Sequence, residues 1–261
     1  MSRDAVHVLI LAGRRGGDDP VARSAGVSHK ACARIAGIPI AERVATTLRA
    51  SLPDSALGIA IDESTETRRM LDALTSGNGV TVVPVGESPC ATIASALARE
   101  DMAAPLLITT ADHPLLTPAI VHYFLDHLPA GIDAAVGVAT RQTVSAAYPG
   151  MRRTYWRFRD KHVSGCNLFY LGTANAARVV AFWRQLENDR KRPWAIVRRL
   201  GLGSLLRFLC GRLSLAQGLS ILERKVGARL AVVDMPFAEA AIDVDRPADL
   251  QLAEEILRRS S

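Results

Sequence analysis

At 261 residues, 49% apolar and 22% charged, the chain has the make-up of a globular α/β protein and none of the marks of a fibrous or disordered one. No apolar run approaches the ~18 residues of a membrane span, and the N-terminus lacks a signal-peptide core, so a cytoplasmic protein is expected. A net charge of +6 calls for an anionic partner, yet no aromatic-basic recognition motif points to nucleic acid.

Aromatics make up only 5% of the chain, so Ala, Val, Leu and Ile must build the core. Cys32, Cys90, Cys166 and Cys210 lie far apart with no CxxC pair, which argues against a structural zinc site and a disulfide framework. Buried free thiols are expected.

The unbroken apolar run Val6–Leu11 predicts a strand buried on both faces. It runs into Ala12-Gly13-Arg14-Arg15-Gly16-Gly17-Asp18-Asp19-Pro20, followed by Ser28-His29-Lys30. Glycines let a backbone approach phosphates closely, and arginine and lysine supply the countercharge. This stretch is therefore the first candidate for holding a triphosphate, although it matches neither GxxxxGK[ST] nor GxGxxG. Pro39 then introduces a helix over Ile40–Ser51. Strands are expected at Ala56–Ile61, Val80–Val85 and Pro105–Thr110, with helices at Thr65–Thr75, Thr92–Glu100 and Pro118–Leu128. Repeated strand–helix units imply a mostly parallel sheet whose ligands bind beyond the carboxyl ends of the strands.

The second half is less regular. Ala134–Ala139 reads as a strand, Thr154–His162 as an exposed alternating strand, and Ser164–Tyr170 as a turn and strand entering the site. A helix is expected over Ala174–Leu186. Residues 188–226 read as a helical basic insertion, with Arg190, Lys191, Arg192, Arg198, Arg199, Arg207 and Arg212 among leucines and Trp194. Two readings stand for 190–212: peripheral contact with an anionic membrane, or, more ordinarily, a helical hairpin packed on the domain or a dimer contact. Arg229–Val233 reads as a strand, Ala241–Asp245 as a turn-bound strand end, and Pro247–Arg259 as a closing helix. No repeat or linker divides the chain, so residues 1–261 are expected to form one domain.

Asp112 directly follows the strand Pro105–Thr110, where a carboxylate reaches the mouth of the site and can ligate Mg2+. Magnesium takes one or two protein carboxylates, so a second is sought in Ile242-Asp243-Val244-Asp245-Arg246-Pro247. Asp243 is the better ligand candidate. Asp245 is as readily a helix cap, and Asp249 fits the first turn of the closing helix.

Three motifs in order resemble the nucleotidyltransferases of the molybdenum-cofactor type and their cytidylyl- and guanylyltransferase relatives. They are Leu11-Ala12-Gly13…Arg15…His29-Lys30, Thr110-Ala111-Asp112-His113-Pro114, and Ile242-Asp243-Val244-Asp245-Arg246-Pro247. The resemblance implies a three-layer α/β/α sandwich, Rossmann-like and of GT-A type, with a mostly parallel sheet. It implies nucleotide contacts from Leu11, Ala12, Gly13, Arg14, Arg15, Gly16, Lys30 and Thr92, with catalysis by Arg15, Lys30 and Asp112. Mg2+ would sit on Asp112 and Asp243, and Gly165 and Asn167 would line the acceptor pocket. Thr92, at the start of Thr92-Ile93-Ala94-Ser95-Ala96-Leu97, is the base-contacting candidate or else a helix cap.

The implied reaction is Mg-dependent transfer of NMP from CTP or GTP to a phosphorylated acceptor, with release of pyrophosphate, by a monomer or homodimer. A GT-A glycosyltransferase using a sugar nucleotide is the enzymatic alternative. A non-catalytic, membrane-associated nucleotide-binding module is the other. The insertion Asp18–Val27 and Arg14, where small residues are common, depart from the family pattern.

Overall fold

The computed structural model of the chain describes residues 6–14, 19–151, 153–189 and 201–260. Arg15, Gly16 and residues 190–200 of the basic stretch lie outside the described residues. The first strand, β1 (His7–Ala12), sits between β4 (Leu57–Ile61) and β6 (Leu106–Thr110), parallel to both. Beyond β4 lies β5 (Val80–Val83), also parallel. On the other side β9 (His162–Leu171) runs antiparallel between β6 and β7 (Ala134–Thr140), and β7 pairs in parallel with β10 (Leu230–Asp234). The path is thus β10-β7-β9-β6-β1-β4-β5. Apart from it, β2 (Arg34–Ile35) and β3 (Ile38–Pro39) form a small hairpin.

Strand residues buried on both faces need cover on both faces. Val8, Ile10 and Ala12 face a cluster built with α2 (Ile40–Ser51), α3 (Thr65–Asn78) and α5 (Pro118–Asp126). Leu9 points the other way, into a cluster with α4 (Pro89–Leu97) and α7 (Ala176–Asp189). The result is a three-layer α/β/α sandwich with a mostly parallel sheet. A third cluster joins α1 (Pro20–Ala25) and the hairpin to the closing helix α10 (Pro247–Ser260) through Val21, Ile35, Val244 and Ala253.

Several elements differ from the sequence expectation, each for a local reason. The insertion Asp18–Val27 contains α1. Asp19 caps it by accepting from the Val21 and Ala22 amides at 2.8 and 3.1 Å, and Gly26 ends it in the left-handed region (φ 66°). Helix α4 begins at Pro89, not Thr92, because Ser88 is the cap and proline suits the first turn. Thr92 is therefore not a helix cap. Thr154–His162 is not one strand: only β8 (Trp156–Arg157) is extended, and it pairs with the start of β9. A short helix, α6 (Arg141–Ala147), follows β7. Ala241–Asp245 is not a strand end either, since a 3-10 turn over Glu239–Ala241 leads straight into the loop. Within 188–226 the described residues hold α8 (Leu202–Leu209) and α9 (Leu215–Val226).

Candidate active site

Three neighbouring parallel strands end side by side, each followed by polar residues: β1 by Gly13-Arg14, β4 by Asp62, and β6 by Ala111-Asp112. The Ala111 amide donates to the Leu11 carbonyl (2.9 Å), carrying the pairing of β1 and β6 one step past the strand end. The Val244 amide donates to the Asp112 carbonyl (2.9 Å), which brings the C-terminal loop to the same edge. This is where open α/β sheets collect ligands.

Lys30 lies at the centre. Its Nζ donates to Asp112 Oδ2 at 2.6 Å and to Asp245 Oδ1 at 3.2 Å. Burial pulls the Lys30 pKa down, but the Asp112 and Asp245 carboxylates outweigh it and hold the ammonium above the ordinary lysine value. A cation thus bridges two carboxylates that are 82 and 215 residues away in sequence. Asp112 Oδ1 is enclosed with no hydrogen-bond partner among the described residues.

Asp243 lies two residues before Asp245 but faces another way. Arg153 Nη1 donates to its Oδ1 in a short contact, and Asn167 Nδ2 donates to its Oδ2 at 3.1 Å. Burial alone would raise this carboxyl, yet the Arg153 charge holds it below the usual range. Asn167 adopts a left-handed backbone (φ 51°), uncommon for a residue other than glycine, which aims its amide at Asp243. Gly165, also on β9, is exposed and has open space where a Cβ would stand. Asp245 does not cap α10. The Asp249 carboxylate does that work, accepting from the Asp245 and Arg246 amides at 3.1 and 2.8 Å and leaving Asp245 turned to Lys30.

The loop after β1 forms the second half. A cleft of about 320 Å³ is lined by Arg14, Asp19, Arg23, Ser28, His29 and Lys30, among others. The Arg14 amide donates to Asp62 Oδ2 (2.6 Å), fixing the loop against the end of β4. His29 Nδ1 accepts from the Ala31 amide (3.0 Å), which leaves Nε2 to carry the proton, 3.9 Å from Asp62 Oδ2. Burial lowers the His29 pKa, against the opposing pull of the Asp62 carboxylate. The Ser28 amide and hydroxyl both donate to Glu66 Oε2, at 2.6 and 2.7 Å, tying the Lys30 segment to α3. Those hydrogen bonds hold the Glu66 carboxyl below its usual value.

Leu11 and Ala12 lie at the end of β1, with Leu11 engaged through its carbonyl, and Gly13 would place a Cβ 3.2 Å from Val85. Thr92 is buried, and its hydroxyl accepts from the Gly86 amide (2.9 Å) while donating to the Ser88 carbonyl (3.1 Å). It closes the 86–88 turn. The sequence reading missed Asp62, Glu66 and Arg153. Asp62 had a signal, being the carboxylate directly after β4, much as Asp112 follows β6 with Ala111 between. For Arg153, in an irregular loop, nothing local marks its partner.

The family model of the MobA-like NTP transferase domain matches residues 8–201. The chain belongs to this family. Nucleotidyl transfer is accordingly its class of chemistry, and the loop, Lys30 and Asp112 all fall within the matched NTP transferase segment, while Asp243 and Asp245 lie beyond it. Among solved structures, a hypothetical transferase from Thermus thermophilus is 29% identical with a TM-score of 0.79, covering 94% of this chain and 98% of that one. CMP:2-keto-3-deoxy-manno-octonic acid synthetase, solved with CTP, shares the fold at 13% identity (TM-score 0.57; 98% and 99% covered). So does 4-diphosphocytidyl-2C-methyl-D-erythritol synthase from Anaerococcus prevotii, at 12% identity (TM-score 0.58; 97% and 96% covered). No curated protein matches the chain in sequence.

Proposed function

We propose that this NTP transferase moves an NMP group from CTP or GTP to a phosphorylated small-molecule acceptor, with Mg2+ as cofactor and pyrophosphate as the leaving group. The observation that carries the reading is the Lys30 ammonium, held between Asp112 and Asp245 at the ends of the parallel strands. The donor set suits a hard divalent cation: two carboxylates already share a positive charge, and Asp112 keeps one enclosed oxygen unpartnered. Asp112 and Asp245 would hold the ion. Asp243, with both oxygens engaged by Arg153 and Asn167, takes the role of a positioning carboxylate in place of the ligand role the motif implied. When bound, the ion supplies charge neutralisation and alignment of the phosphates.

The chain's own residues do the rest. The cleft after β1 receives the triphosphate, with Gly13 allowing close backbone approach and Arg14 and Lys30 supplying positive charge. Arg15 and Gly16 are assigned nucleotide contacts by their place in the motif alone. An acceptor phosphate oxygen attacks the α-phosphorus, the new P–O bond forms, and the bond to the pyrophosphate oxygen breaks. The acceptor is already an anion, so no general base is required, and catalysis rests on alignment and electrostatics. Gly165 and Asn167 face the acceptor side, where Arg153 adds a cation.

The test is to incubate the protein with each NTP, Mg2+ and a panel of phosphorylated sugars, polyols and head-group precursors, and to follow pyrophosphate. The proposal expects pyrophosphate from CTP or GTP with at least one acceptor. Release of nucleoside diphosphate from a sugar nucleotide instead would establish the glycosyltransferase alternative.

A further inference from the structure

The excess positive charge of the chain is confined to one segment. Residues 190–222 contain seven Lys/Arg and no Asp/Glu, so the other 228 residues hold 25 Lys/Arg against 26 Asp/Glu. The described part of this segment is α8, the turn that follows it and most of α9. Among the described residues, helix α8 is docked through one side: Phe208 meets Phe158 edge-on at 5.3 Å between ring centres, and Arg207 donates to Gln217 Oε1 on α9 at 3.2 Å. Its opposite side carries Leu202, Leu206 and Leu209, spaced four and three apart and so on one helical face. These leucines are 58, 51 and 69% exposed, and Arg212, in the turn after the helix, is exposed as well.

We propose that α8 is a membrane-contact helix that inserts its leucine face into the headgroup region of an anionic lipid bilayer, with the surrounding arginines on lipid phosphates. An exposed apolar stripe inside an acid-free basic segment matches such a surface in both hydrophobicity and charge. A second copy of the chain is a poor match, because a two-fold contact through this face would set the two basic segments against each other. Nucleic acid would satisfy the charge but would leave the leucines in water. The inference does not depend on the reaction proposed above.

Flotation of the whole protein with lipid vesicles decides it. The wild type is expected to float with phosphatidylcholine vesicles containing about one-third phosphatidylglycerol, and on the order of tenfold less with phosphatidylcholine alone. Raising NaCl from about 0.1 to about 0.5 M should weaken the binding. Leu206→Glu with Leu209→Glu, at two exposed positions, should lower it by on the order of tenfold while far-UV circular dichroism stays unchanged. No flotation with anionic vesicles would overturn the proposal, as would equal flotation of the double variant. Retention on DNA without flotation would also overturn it, as would a dimer that the double variant dissociates.

Discussion

Lys30 holds in place two carboxylates that would otherwise repel each other, and it does so where a metal-bound triphosphate would have to arrive. One ammonium faces two carboxylates there, and each member of the trio has a separable effect. Asp112→Ala should cut nucleotidyl transfer by roughly a hundredfold to a thousandfold, the ~3–4 kcal/mol of a lost catalytic electrostatic contact, with an unchanged circular dichroism spectrum. Wild-type turnover by that variant would remove Asp112 from the site. The thiols give a second check at this scale. Burial pushes Cys32 up to about 11 and Cys90 and Cys166 up to about 12, so none offers a thiolate at pH 8. Cys210 is exposed, contrary to the expectation of four buried thiols. A thiol reagent at pH 8 should modify one cysteine in the native protein, Cys210→Ser should abolish that reaction, and unfolding should expose the other three. Fast modification of three or four native thiols would contradict the packing. Asp112 was legible in the sequence because a carboxylate at a strand end has few other uses. Which of Asp243 and Asp245 turns to Lys30 was not, since that depends on Arg153, Asn167 and Asp249, none of which the local sequence connects to either carboxylate.

At the scale of elements, the segment that delivers Lys30 is fastened to α3 by Glu66. Its carboxylate accepts both the amide and the hydroxyl of Ser28, two residues before the lysine. Those bonds depress the Glu66 pKa, so their stabilisation is complete above the unfolded-state value near 4.5 and is lost as pH falls through the lower folded value. Glu66→Gln should therefore lower stability by about 1 kcal/mol at neutral pH, allowing for partial exposure. The difference should close on acidification below pH 4.5. Chemical denaturation across pH measures it, and a gap that widens in acid would contradict the assignment. The same variant should weaken nucleotide binding by loosening the Lys30 segment. Elements with a strong apolar period, such as α2 and the strands of the parallel core, were read from sequence closely. Two of the misses were short and capped by side chains: α1 between Asp19 and Gly26, and the earlier start of α4 at Ser88-Pro89. In both, the cap residues were present in the sequence and outweighed the weak apolar period that guided the expectation.

For the molecule as a whole, the sheet order decides what can meet. Placing β1 between β4 and β6 sets Gly13-Arg14, Asp62 and Asp112 at adjacent strand ends, and the pairing of Asp112 with Val244 through the backbone adds the C-terminal loop. The antiparallel β9 between β6 and β7 carries Gly165 and Asn167 to the same edge. A binding site for a nucleoside triphosphate at this edge is the central claim, and it can be tested before any acceptor is known. Calorimetric titration of the protein with CTP and with GTP in the presence of Mg2+ should show binding of at least one. Lys30→Met and Asp112→Asn, each with an unaltered circular dichroism spectrum, should weaken that binding by at least about tenfold, the effect of removing a charged contact to phosphate or its metal. Absence of binding by the wild type, or wild-type affinity in both variants, would contradict the account.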